Sequence, residues 1–222
     1  MPVHRNNPEE HHFKKNCFIT ELWNAPADDE IKDGSSQTIK PMPMLVTDKL
    51  VLRPFNLSDA SDLQRLAGDF AIADTTAAIP HPYPEGAAQA WINTHEDEFI
   101  KNRMLALAVT QKETGELQGC VSIMDIDKSC KSGELGYWIG KELWGRGYCT
   151  EAASAIIKYG FEEMDLNRIQ AKHLARNPSS GRVMQKLGMR QEGYLRHAFV
   201  KWGRYEDNVL YAILREDWLK RK

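Results

Sequence analysis

Apolar and polar positions along this chain repeat with two periods, and the switches between them mark out a series of elements. Residues 50–55, Leu50-Val51-Leu52-Arg53-Pro54-Phe55, predict a first strand. Ser58 is a good N-cap, Ala60, Leu63 and Ala67 follow at helical spacing, and Gly68 is a stop. Residues 75–84, TTAAIPHPYP, carry too much proline for regular structure. Ala88, Trp91, Ile92, His95 and Phe99 then recur at i, i+3, i+4, i+7 and i+11, which predicts one second helix. Residues 104–110 and 117–126 read as an antiparallel hairpin about the turn Thr114-Gly115.

A polar turn at 128–132 leads into a strand over 134–140 and a glycine-bearing loop. The next helix has Ala153, Ile156, Ile157, Gly160, Phe161 and Met164 on one stripe. Residues 168–174 are another strand, which a βαβ crossover lays parallel to the one before that helix. Asn177-Pro178 supplies an N-cap and an N1 proline for a short helix with Val183, Met184 and Leu187, stopped by Gly188. Strands over 190–200 and 205–214 close the chain about a turn with Trp202-Gly203. The order βααβββαβαββ predicts an α/β fold of the mixed-sheet kind, with helices on the sheet's faces and one domain over residues 45–222.

Composition narrows the function classes. The 222 residues suffice for one domain with a core plus an appendage. A net charge of −2 gives no basic field to recruit nucleic acid. Cys17, Cys120, Cys130 and Cys149 form no CxxC pair, so they read as free thiols of a reducing cytoplasm. His11-His12 lacks the cysteine or carboxylate pattern of a metal site, and no metal is expected. No apolar run approaches the ~20 residues of a membrane span, and no signal-peptide core opens the chain. A soluble, cytoplasmic protein follows. Residues 1–44 are polar and end in Pro41-Met42-Pro43, with one apolar knot of Cys17-Phe18-Ile19 and Leu22-Trp23. They read as an N-terminal extension with one anchor, able to dock on its own subunit or on a second copy in a homodimer.

The candidate chemistry centres on Trp144-Gly145-Arg146-Gly147-Tyr148, between a strand and a helix start. Unpaired N–H groups and the positive end of the dipole make such a place an anion site. Two glycines let the backbone approach a ligand closely. The run is not a P-loop, because Tyr148 stands where lysine belongs. Nor is it a dinucleotide fingerprint, because Thr150 takes the place of the third glycine and the unit lies late in an antiparallel-rich chain. The pyrophosphate of coenzyme A remains.

Across residues 45–218 the chain resembles the GCN5-related N-acetyltransferases (GNAT), closest to their RimJ/RimL-like branch, which acetylates ribosomal-protein N-termini. The resemblance rests on Thr47-Asp48-Lys49-Leu50-Val51-Leu52-Arg53, Ile79-Pro80-His81-Pro82-Tyr83 and Gly136-Tyr137-Trp138-Ile139, then on the glycine loop with Thr150-Glu151-Ala152. Asn177-Pro178-Ser179-Ser180 and Lys186-Leu187-Gly188-Met189 complete it in order. Glu142 departs from the superfamily's usual Gln or Arg at the loop's start. A grip made by backbone N–H groups does not depend on it.

The resemblance implies acetyl transfer from acetyl-CoA, without a metal, to an amine such as a ribosomal-protein N-terminus. Gly145, Arg146, Gly147 and Tyr148 are the expected pyrophosphate contacts, and Arg182 a nucleotide contact. Two neighbouring strands are expected to splay, so that backbone near Trp138 and Ile139 pairs with the pantetheine arm. Asn177 is assigned to that arm, although it is equally an ideal N-cap. Ser180 is the candidate proton donor to the leaving thiolate. Glu134 is the candidate base, against the alternative of a solvated carboxylate at a strand start. His81 and Tyr83 are expected to line the acceptor side. Two rivals stay open: a small-amine acetyltransferase, and a non-catalytic acyl-CoA-binding module.

Overall fold

The computed structural model describes residues 40–221. The apolar knot at 17–23, the His11-His12 pair and nearly all of the expected extension lie outside the described residues. Eight strands form one sheet: β1 (Leu45–Val46), β2 (Leu50–Arg53), β3 (Leu105–Gln111), β4 (Leu117–Asp127), β5 (Ser132–Ile139), β6 (Arg168–Leu174), β7 (Arg190–Lys201) and β8 (Arg204–Leu214). Their spatial order is β1-β2-β3-β4-β5-β6-β8-β7. Every neighbouring pair is antiparallel except β5 and β6. The expected mixed sheet with helices on its faces is the observed fold.

The helices are α1 (Ala60–Ala67), α2 (Phe70–Thr75), α3 (Ala87–Asn93), α4 (His95–Ile100), α5 (Tyr148–Glu162), α6 (Pro178–Lys186) and α7 (Arg215–Leu219). Four points differ from expectation, one of them α7, whose five residues are too few to show a period. Ser58 does not cap α1; it lies inside a 3-10 turn, Leu57–Asp59, whose Asp59 carboxylate accepts the Asn56 amide at 2.8 Å and the Arg53 guanidinium at 2.7 and 2.8 Å. The single helix expected over 88–99 breaks at Thr94, whose hydroxyl donates to the Trp91 carbonyl at 2.8 Å and competes with the helical ladder. Helix α2 went unpredicted because six residues show no period, though Asp69 caps it by accepting the Ala71 amide at 2.8 Å.

The sheet carries a core on each face. Leu105, Leu107, Val109, Val121, Leu135 and Ile139 pack with Ala153, Ile156, Ile157 and Phe161 of α5. Ala108, Cys120 and Trp138 pack on the other face with Leu63 and Ala67 of α1 and with Ala88 and Ile92 of α3. Covered on both faces, β3 reads as a continuous apolar run rather than an alternating one. Each Ile or Leu buried there stabilises the fold by roughly 1.5–3 kcal/mol. Gly160 lets α5 approach the sheet closely, since a Cβ there would stand 2.8 Å from Ile123 Cδ1 and 3.0 Å from Ile169 Cδ1. A larger residue at Gly160 would push α5, and the loop before it, off the sheet.

Candidate active site

From the end of β5 a 3-10 turn, Lys141–Leu143, leads into the glycine loop. Gly145 and Gly147 have φ of +80° and +85°, the left-handed region, and a Cβ at either would meet nothing within 4 Å. The loop backbone is therefore open on the side where a ligand would lie. Gly147 caps α5, and Glu151 N–H is the first helix amide to find an acceptor among the described residues, the Gly147 carbonyl at 3.0 Å. The amides of Tyr148, Cys149 and Thr150 ahead of it are the helix's unpaired donors. Trp144 Nε1 donates to the Ile139 carbonyl at 2.7 Å and ties the loop to the strand end. Arg146 and Glu142 are exposed. Burial pushes the Cys149 thiol up to about 12, so desolvation outweighs the helix dipole and keeps it neutral.

Strands β5 and β6 pair through only three residue pairs, ending at Glu134↔Gln170. Beyond it β5 stays bonded to β4 as far as Ile139, and β6 to β8 as far as Leu174. Residues 135–139, with Trp138 and Ile139, thus face residues 171–174 across a gap without a ladder. This is the expected splay, and it opens beside the glycine loop.

Glu134 stands at the closed end of the gap. Its carboxylate accepts Gln170 Nε2 at 3.2 Å and pairs with Lys172 Nζ at 2.7 Å. Its neighbour Asp125 has its carboxyl pushed up, first by burial and then by the Glu134 charge. On the opposite face of β5, the Tyr137 hydroxyl reaches Ser180 near the start of α6. The Asn177 side-chain oxygen accepts the Ser180 amide at 3.4 Å, while its amide nitrogen donates to the Thr75 carbonyl at 3.4 Å. Arg182 is exposed and donates to Ser179 Oγ at 2.7 Å. His173 fills the space beside Gly181, where a Cβ would come within 2.7 Å of its Nε2.

The proline-rich segment and the β7–β8 turn meet directly. Lys201, buried, gives its ammonium to the carbonyls of Thr76 at 2.7 Å and of Ala77 and Ile79 at 3.3 Å. Asp74 receives Arg176 at 2.8 and 3.0 Å and Trp202 Nε1 at 2.9 Å. His81 is exposed and lies edge-on to Phe70, which stacks on Trp202. Tyr83 packs instead against the core under α1 and α3, and burial pushes its phenol up.

Residues 49–190 match the family described as the Acetyltransferase (GNAT) domain. The chain belongs to the GNAT acetyltransferase family. The N-acetyltransferase YnaD of Bacillus subtilis (strain 168), an uncharacterized protein, is 30% identical over 187 residues, covering 78% of this chain and 98% of the relative. The [ribosomal protein uS5]-alanine N-acetyltransferase of Escherichia coli (strain K12) is 28% identical over 186 residues, covering 80% and 94%. Among solved structures, Mycobacterium smegmatis RimJ in complex with CoA-disulfide superposes with a TM-score of 0.69 at 25% identity, over 76% of this chain and 83% of that one.

Several residues of this GNAT chain escaped the sequence reading. Tyr137 sits inside a motif read for its backbone, and period-two alternation alone puts it on the face opposite Glu134. Alternation likewise aligns Lys172 with Gln170, but only the pairing of β6 beside β5 brings both to Glu134. Asp74, Arg176 and Lys201 carried no local signal. Their partners lie more than a hundred residues away along the chain or, for Arg176 with Glu206, 30 residues away beyond a helix and a strand.

Proposed function

We propose that the chain transfers an acetyl group from acetyl-CoA to a primary amine, and that the acceptor is a protein N-terminal α-amine of the ribosomal-protein kind. Residues 45–222 form the domain that does so, with 1–44 as an extension. The observation that carries the reading is the β5–β6 ladder that stops after three pairs beside an open glycine loop. The name of the uS5-alanine relative supports the acceptor class, and the CoA in the RimJ structure supports the donor.

Acetyl-CoA supplies the acetyl group already activated as a thioester. The amides of Gly145, Arg146, Gly147 and Tyr148 receive its pyrophosphate, where the helix dipole favours negative charge. Arg182 reaches the nucleotide phosphate. The Ile139 backbone N–H, on the β5 edge away from β4, holds the arm in the gap and polarises the thioester carbonyl, with Trp138 fixed beside it by its pairing to β4. Asn177 contacts the arm while capping α6. Glu134, paired with Lys172 and hydrogen-bonded by Gln170, accepts the amine's proton through water. An α-amine with a pKa of about 8 is partly neutral near pH 7 and asks little of that base. His81, with Phe70 and Trp202, frames the acceptor's approach, while Tyr83 supports that wall from the core beneath it.

Calorimetric titration with acetyl-CoA tests the premise, and a thiol-release assay over N-terminal peptides, polyamines and amino sugars tests the acceptor. Saturable binding with turnover on N-terminal peptides is expected. Turnover on small amines alone would replace the acceptor, and binding without any turnover would reduce the chain to an acyl-CoA-binding module.

A further inference from the structure

Tyr137 lies three residues beyond Glu134, the last β5 residue paired with β6. Its side chain packs with the core under α5, and its hydroxyl crosses to α6, the helix that follows β6. There it stands 3.0 Å from the Ser180 carbonyl oxygen and 3.0 Å from Ser180 Oγ. The contact therefore spans the gap between the splayed strands instead of following a ladder. Phenylalanine would fill the same volume without the cost of burying a hydroxyl. What tyrosine adds is one proton, and two atoms of one serine compete for it.

That competition has two outcomes. A carbonyl oxygen can only accept, so when Tyr137 donates to it, the phenol oxygen is left to accept the Ser180 hydroxyl proton. Ser180 is then turned away from any third group. When Tyr137 donates to Ser180 Oγ instead, the serine's own proton is free to point into the gap. Burial pushes the phenol well above its ordinary range, so Tyr137 keeps its proton in both states. The Asn177 side chain holds the Ser180 amide at 3.4 Å, which limits the adjustment to rotation of two hydroxyls.

We propose that Tyr137 is a positioning residue that aims the Ser180 hydroxyl proton at the sulfur leaving the thioester. The proposal rests on the acetyl-transfer reading above. As the amine nitrogen bonds the carbonyl carbon, the C–S bond breaks and its electron pair stays on sulfur. Ser180 gives its proton to that sulfur and regains one, through water, from the proton the amine releases. Tyr137 gains and loses nothing; donating to Oγ, it steadies the serine while its proton is in transit.

The test needs no acceptor. The affinities of coenzyme A and of desulfo-coenzyme A, which lacks the thiol, are measured by calorimetry at pH 7 and pH 9. A hydroxyl aimed at sulfur stabilises the bound thiolate, so the affinity ratio should rise about tenfold across the thiol's range near 8.5 in the unaltered protein. Ser180→Ala and Tyr137→Phe should each hold that rise under about twofold, and Tyr137→Phe added to Ser180→Ala should change nothing further. Desulfo-coenzyme A should bind all variants alike, which reports an intact fold. An unaltered rise in Tyr137→Phe, or an additional loss in the double variant, overturns the proposal. Failure of both ligands to bind the unaltered protein would instead overturn the acetyl-CoA reading.

Discussion

Glu151, one turn into α5, accepts the Thr47 hydroxyl at 2.6 Å and the Lys49 amide at 2.8 Å. This joins the β1–β2 turn to the helix whose N-terminus carries the glycine loop. The Thr47 hydroxyl oxygen in turn accepts the Leu50 amide at 3.0 Å, so the carboxylate anchors an already ordered turn. Two of the motifs behind the family resemblance are thus the two halves of one contact.

Glu151→Ala should lower stability in urea denaturation by about 1–2 kcal/mol, because a charged acceptor of two hydrogen bonds is lost. Thr47→Val should cost about 1 kcal/mol, and the double variant less than the sum. Full additivity would mean that the pair does not act as one.

Gly147→Asp should abolish acetyl-CoA binding, measured by calorimetry. The added side chain enters open space on the ligand's side and sets a negative charge beside the pyrophosphate. At φ +85° any L-residue also costs about 1–2 kcal/mol of stability. Gly147→Ala separates the two effects: similar destabilisation, and weakened rather than abolished binding. Unchanged affinity in Gly147→Asp would show that the loop is not the cradle.

His95 is buried in α4 against Trp91 and Phe55, and among the described residues neither ring nitrogen has a hydrogen-bond partner. Burial lowers it from 6.5 to about 4. The unfolded chain therefore binds a proton that the folded one excludes. Stability from this group is full above pH 6.5 and falls as pH drops towards 4, by about 3 kcal/mol in all. His95→Leu should flatten that limb of the stability–pH curve. An equal slope in the variant would mean that other groups govern the acid limb.

Asp74, near the end of α2, is tied to Trp202 of the β7–β8 turn and to Arg176, which in turn pairs with Glu206 of β8. The Arg176 guanidinium, then the Trp202 indole, hold its carboxyl below the usual range despite some burial. Asp74→Ala should release residues 70–84, seen as faster amide exchange there, and raise KM for a peptide acceptor about tenfold with kcat little changed. Unaltered exchange would show that Lys201 alone suffices to hold the segment.

The parts of this protein readable along the chain are those set by short-range physics. The 3.6-residue stripe from Ala153 to Met164, the Asn177-Pro178 helix start and the glycines before Tyr148 each depend on neighbours within a few residues. Period, capping and backbone freedom therefore revealed most elements, their order and the anion loop. The same short range explains the misses: α2 and α7 are too brief to show a period, and a single hydroxyl at Thr94 divides a stripe that otherwise looks continuous.

Only the tertiary structure decided which side chains meet. Thr47 and Glu151 stand 104 residues apart, Asp74 and Arg176 102 apart, and Tyr137 and Ser180 43 apart. Each meeting depends on the order in which the strands enter the sheet and on where the β5–β6 ladder gives way. That order is a collective solution to burying two cores on one sheet, and no local window of sequence contains it.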